Sequence, residues 1–71
     1  MNNRQMDLLN RLIQENEPVT GKVLAQQYLV SSKTIYNDIS VINQYLKAFS
    51  SEIKKKPSMG IYIEIDEKYK E

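Results

Sequence analysis

Two polar clusters carry the chemistry that this chain can offer. The first comprises Ser31, Ser32, Lys33, Thr34, Tyr36, Asn37 and Ser40; the second is Lys54, Lys55 and Lys56, with Ser58 and Gly60 just beyond. A carboxamide such as Asn37 can make a paired hydrogen bond to an adenine edge. A lysine such as Lys33 can meet a guanine or a phosphate, and a tyrosine such as Tyr36 reaches a phosphate or a thymine methyl. Hydroxyls such as Ser31 and Ser32 suit a phosphate where they stand at the positive end of a helix dipole. This is recognition chemistry, not bond breaking. The sequence has no histidine and no cysteine, so the usual general base near neutral pH is missing, as are the thiolate and imidazole ligands of zinc sites. The carboxylates are scattered, and neither a glycine-rich phosphate loop nor a nucleophile beside a base is present. The residues point away from an enzyme and call for no metal and no cofactor.

Charge sharpens that reading. The net charge of +1 hides a gradient. Residues 18–63 hold Lys22, Lys33, Lys47, Lys54, Lys55 and Lys56 against Asp38 and Glu52, whereas acids outnumber bases on both flanks. A local basic face governs attraction to a polyanion more than the total does. At 71 residues the chain makes one small domain, with no room for a deep catalytic cleft. No apolar run approaches the ~20 residues that span a bilayer, and Met1-Asn2-Asn3-Arg4 leads into no signal-type apolar segment. A cytoplasmic binding module without a membrane partner is the expectation.

The elements that must position these clusters follow from periodicity. Met6, Leu9, Leu12 and Ile13 form one helical face, with Leu8 beside it, and this helix should end near Glu15 because Pro18 disfavours helical geometry at Glu17. Thr20 is an N-cap for a helix of about two turns, with Val19 stapled to Leu24 and with Val23, Leu24 and Tyr28 on the apolar side. Ser31 repeats the signature, with Val30 stapled to Ile35. A third helix then runs to about residue 48 on the stripe Ile35, Ile39, Ile42, Leu46 and Phe49. Lys33, Asn37, Ser40 and Gln44 lie opposite that stripe, flanked by Tyr36 and Lys47. Asp38 is assigned to structure, paired with Arg4 or Lys22. After Ser50-Ser51 the period becomes two. Ile61, Ile63 and Ile65 read as a half-buried strand, Glu52–Lys56 as its partner, and Pro57-Ser58-Met59-Gly60 as the turn.

Three helices and a hairpin, with the second and third helices nearly abutting, predict an α+β winged helix-turn-helix over residues 1–65, followed by a charged tail over 66–71. The partner is then double-stranded DNA, with the third helix in the major groove and the lysine arm on the backbone. A protein-interaction winged helix without nucleic-acid binding is the alternative, suited by the near-neutral total charge and by Leu8 and Met59 if exposed. Nothing offers the aromatic platform of single-strand RNA readers.

The wording of the sequence is more specific still. The stretch from Glu17 to Ala25, then Val30-Ser31-Ser32-Lys33-Thr34-Ile35-Tyr36-Asn37-Asp38-Ile39 and Ile42-Asn43-Gln44-Tyr45-Leu46, resembles the N-terminal winged helix-turn-helix of bacterial sugar-operon regulators. These are the BglG/MtlR/LicR-type regulators with phosphotransferase-system regulation domains; Mga-like and DeoR-type proteins are relatives. Lys56-Pro57-Ser58-Met59-Gly60-Ile61-Tyr62-Ile63 is similar to their wing. The resemblance implies that Ser31, Ser32, Lys33, Thr34, Tyr36 and Asn37 face DNA and that Lys54 to Gly60 form the wing. It also implies further domains after this one, with any homodimer formed through them. Two positions depart from the pattern. Leu29 stands where glycine or asparagine is commoner, and positive φ strains a leucine, so a differently shaped turn is open there. Ser58 replaces a wing glycine, which leaves a displaced wing tip open as well.

Overall fold

The computed structural model describes residues 1–66. Its elements are α1 (Asn3–Gln14), α2 (Gly21–Tyr28), α3 (Ser32–Leu46), a 3-10 turn (Lys47–Phe49), β1 (Glu52–Lys56) and β2 (Gly60–Glu64). Three helices precede an antiparallel hairpin, so the fold is the winged helix-turn-helix that the sequence predicts. The expected tail lies, from residue 67 onward, outside the described residues.

α1 begins with a reciprocal cap. The Asn2 side chain accepts from the Gln5 N–H at 2.8 Å, and the Gln5 side chain accepts from the Asn2 N–H at 2.9 Å, which satisfies two orphan donors at once. Its buried face is Gln5, Leu8, Leu9 and Leu12. This corrects the expected stripe: Leu8 is fully buried, whereas Met6 and Ile13 are 47% and 48% exposed. The two arcs share Leu9 and Leu12 and differ by a rotation of roughly 60° at 100° per residue. Apolar count alone favoured the arc with Met6 and Ile13; a hydrogen-bond partner for Gln5 on α3 selected the other.

α2 and α3 start as expected, with Thr20 accepting from the Val23 N–H and Ser31 from the Thr34 N–H. α2 buries Leu24 and Ala25 but leaves Val23 exposed, so Val23 does not serve as the core residue expected of it. Tyr28 is half-buried and donates to the Asp7 carboxylate at 2.6 Å. Burial first, then that bond, push the Tyr28 hydroxyl up to about 12 and so keep it a donor. Ile35, Ile39, Ile42 and Leu46 are buried along α3. The helix ends at Leu46, and Phe49 lies half-buried in the 3-10 turn with its ring 5.3 Å from that of Tyr45.

Leu29 closes α2 at φ 57°, ψ 43° and is 91% exposed. The Val30 N–H reaches back to the Ala25 carbonyl at 3.0 Å and the Leu29 N–H to the Gln26 carbonyl at 3.4 Å, the paired closure that ends many helices at a left-handed residue. Val30 and Ala25 both pack on the core. The turn therefore keeps the glycine-type shape with a leucine in it, at a cost of roughly 1–2 kcal/mol for the left-handed backbone.

In the hairpin, Ile53 pairs with Ile63 and Lys55 with Ile61; Ile53 and Ile61 are buried and Ile63 packs against the same core. Val19 exchanges both backbone hydrogen bonds with Ile61, at 2.9 and 2.7 Å, which joins the start of α2 to β2. Gly60 is required there. At φ 124° its Cβ would stand 2.7 Å from the Val19 carbonyl carbon. Among the described residues no helix is long and apolar enough to cross a membrane.

Candidate nucleic-acid interface

What decides the character of α3 is where its one acid points. Asp38 is 2% exposed and turns toward α1. The Arg4 guanidinium donates to both of its oxygens, at 2.7 and 3.0 Å, and the Gln5 amide donates to one at 2.9 Å. The Arg4 bonds hold the Asp38 carboxyl below the usual carboxylate range against the opposing effect of burial, and Gln5 assists. Of the two partners foreseen for Asp38, Arg4 is the one used. The exposed side of α3 is thereby left without a carboxylate.

That exposed side carries most of the residues singled out for recognition. Ser32, Lys33, Asn37 and Ser40 are exposed. The Ser31 hydroxyl caps the helix and lies 3.1 Å from the Thr34 hydroxyl, so both are held at the positive end of the helix dipole. The Ser40 hydroxyl donates back to the Tyr36 carbonyl at 3.3 Å. Tyr36 is 37% exposed, and its ring lies beneath the Lys55 ammonium, 5.1 Å from the centroid. Such a contact contributes about 0.5–1 kcal/mol at an exposed site.

The second cluster is divided. Successive strand residues point to opposite faces, so the three lysines of β1 cannot act as one patch. Lys55 lies on the face of Ile53 and Ile61, toward α3. Lys54 lies on the other face and donates to Glu64 at 3.0 Å; that carboxylate raises the Lys54 ammonium above its ordinary value. Lys56 ends the strand, where its carbonyl accepts the Met59 N–H at 3.0 Å to close the wing turn. Ser58 occupies the left-handed position of that turn at φ 68°, the conformation in which the resemblance places a glycine. Gly60 is packed against the Val19 backbone.

Three positions that hold this surface together escaped the sequence reading. Gly21, the first residue of α2, is buried against Tyr36: a Cβ there would stand 2.9 Å from the Tyr36 hydroxyl. The Asn43 carboxamide accepts from the Ile53 N–H at 2.7 Å and donates to the Ile53 carbonyl at 3.2 Å, which seats the wing on α3. Gln5 links the α1 cap to Asp38. Only the last had a local signal, an Asn-x-x-Gln cap pattern; the other two depend on tertiary neighbours. Of the two side chains offered as exposed interaction surface, Leu8 is buried and Met59 is 51% exposed.

Comparison with known proteins agrees with this fold. A family model described as an HTH domain matches residues 4–62. The chain is similar to the transcriptional regulator ManR of Bacillus subtilis (strain 168), with 35% identity over 69 residues, which cover 94% of this chain and 11% of that protein. The chain thus spans about a tenth of the length of this curated relative. No solved structure matches the present chain.

Proposed function

The chain belongs to the HTH domain family, and from that membership we propose that it binds double-stranded DNA sequence-specifically in bacterial transcription regulation. The observation that carries the reading is the exposed face of α3, from which Asp38 has been withdrawn, leaving Ser32, Lys33, Asn37 and Ser40 outward beside the wing. A polar, uncharged-to-basic helix of this kind is what a major groove accepts. Ser31, Ser32, Lys33, Thr34, Tyr36, Asn37 and Ser40 form the side that faces DNA, and the wing residues Lys54 to Gly60 supply backbone affinity. Similarity to a protein named as a transcriptional regulator supports the regulatory setting. The resemblance of residues 30–39 and of the wing to sugar-operon regulators extends it to control of a sugar-utilisation operon. Residues 1–65 are the DNA-binding unit, and two copies on paired half-sites give the tight complex.

The test is a ¹⁵N chemical-shift titration of the 71-residue chain with a mixed-sequence duplex at low salt. Shifts should cluster at Ser31–Asn37 and Lys54–Gly60. With about four to six phosphate contacts, log K against log salt should slope by about −4 to −5. No shifts at saturating DNA, or a slope near zero, would overturn the reading.

A further inference from the structure

We propose that Tyr36 is a positioning residue: its ring sets the spacing between the start of α2, α3 and the wing, and it fixes Lys55 as the lysine through which β1 meets the DNA backbone. The inference rests on the DNA-binding reading above and narrows it.

Two residues distant in sequence, Lys55 and Gly21, converge on this one side chain. The Lys55 ammonium sits 5.1 Å from the ring centroid. At the hydroxyl end the missing side chain of Gly21 leaves the space that the ring fills, since a Cβ there would lie 2.9 Å from Oη and 3.1 Å from Cζ. The backbone of Tyr36 belongs to α3, one turn after Lys33 and one turn before Ser40. A ring this restrained is poorly placed to swing toward a base, but it is well placed to hold a cation. An ammonium resting on an aromatic face keeps its charge and has donors to spare for a phosphate oxygen. Lys54, by contrast, is on the opposite strand face with its ammonium on Glu64 at 3.0 Å. Adjacent lysines are therefore unequal: one is poised beside α3, the other is engaged behind it.

The experiment measures binding of the full chain to a mixed-sequence duplex by fluorescence anisotropy over about 50–200 mM salt. Lys55→Ala should weaken binding about five- to tenfold and reduce the salt slope by about 0.9, whereas Lys54→Ala should weaken it by no more than about twofold, with a correspondingly smaller change in slope. Gly21→Ala should displace the ring and mimic Lys55→Ala, with no further loss when the two are combined. Adding Tyr36→Phe to Gly21→Ala removes the clashing hydroxyl while keeping the ring and should restore affinity, a rescue that mere destabilisation would not show. Before DNA is added, the Lys55 side-chain methylenes should carry an upfield ring-current shift that Tyr36→Leu abolishes. Equal losses from Lys54→Ala and Lys55→Ala, or additive losses from Gly21→Ala and Lys55→Ala, overturn the inference while leaving DNA binding intact. Wild-type chain that fails to bind overturns both.

Discussion

The two sides of α3 are built to opposite specifications. The inner side is committed at nearly every turn: Ile35, Ile39, Ile42 and Leu46 in the core, Asp38 on Arg4 and Gln5, Asn43 on the wing backbone. On the outer side Ser32, Lys33 and Asn37 stand in solvent. Both sides use polar residues, so polarity alone does not separate them. What does is whether the groups a side chain can bond are supplied within the fold. An asparagine two turns along faces a strand backbone at Ile53, while the asparagine at position 37 faces outward. One helix is thus a structural strut along one side and a free surface along the other.

The comparison breaks first in the core. Ile35→Ala should cost about 3 kcal/mol through lost burial and the cavity it leaves, lowering the melting temperature by roughly 12–24 °C; a thermal melt followed by circular dichroism checks this. Asp38→Asn should cost about 2 kcal/mol by weakening a buried charge-assisted bond, and its effect should depend on pH. Because the folded Asp38 carboxyl titrates below its unfolded value, its stabilisation is complete above about pH 4 and is lost as pH falls through the lower folded value. Denaturant curves at neutral pH and near pH 2.5 should show the gap between wild type and Asp38→Asn closing on acidification; a constant gap would contradict the assignment. Asn37→Ala, on the outer side, should change stability by less than about 0.5 kcal/mol. It should instead relax preference at one base pair by about 1–3 kcal/mol, read from competition between matched and mismatched duplexes.

Much of this was legible in the sequence, and the exceptions share a cause. Caps at Thr20 and Ser31, the isoleucine stripe of α3 and the alternation of Ile61 and Ile63 are local patterns, and each stands as read; Ile65, read into the same strand, lies past the end of β2 at Glu64. The expected phase of α1 rests on Met6 and Ile13 as apolar residues; the buried place of Gln5, a polar residue outside that stripe, depends on Asp38 of α3 as its partner. Leu29 lay at a recognisable turn, but that a leucine accepts φ 57° there depends on Val30 and Ala25 packing below it. In the wing, consecutive lysines read as one arm; strand geometry already required them to alternate, and only the contacts with Tyr36 and Glu64 reveal which faces which way. Gly21 and Asn43 act on residues far along the chain, so no window of neighbours announces them.

The bond from Asn43 to Ile53 has one more consequence. A hairpin exposes two rows of unpaired backbone groups, and such rows invite another extended chain to add itself. Here a carboxamide imitates a peptide group and fills the outer row of β1 at Ile53, while Val19 fills that of β2 at Ile61. Each edge is interrupted near its middle, and a run of lysines guards what remains of the first. The smallest sheet a protein can have is thereby closed to strand-by-strand self-association, so the wing can project into solvent without becoming a template for aggregation.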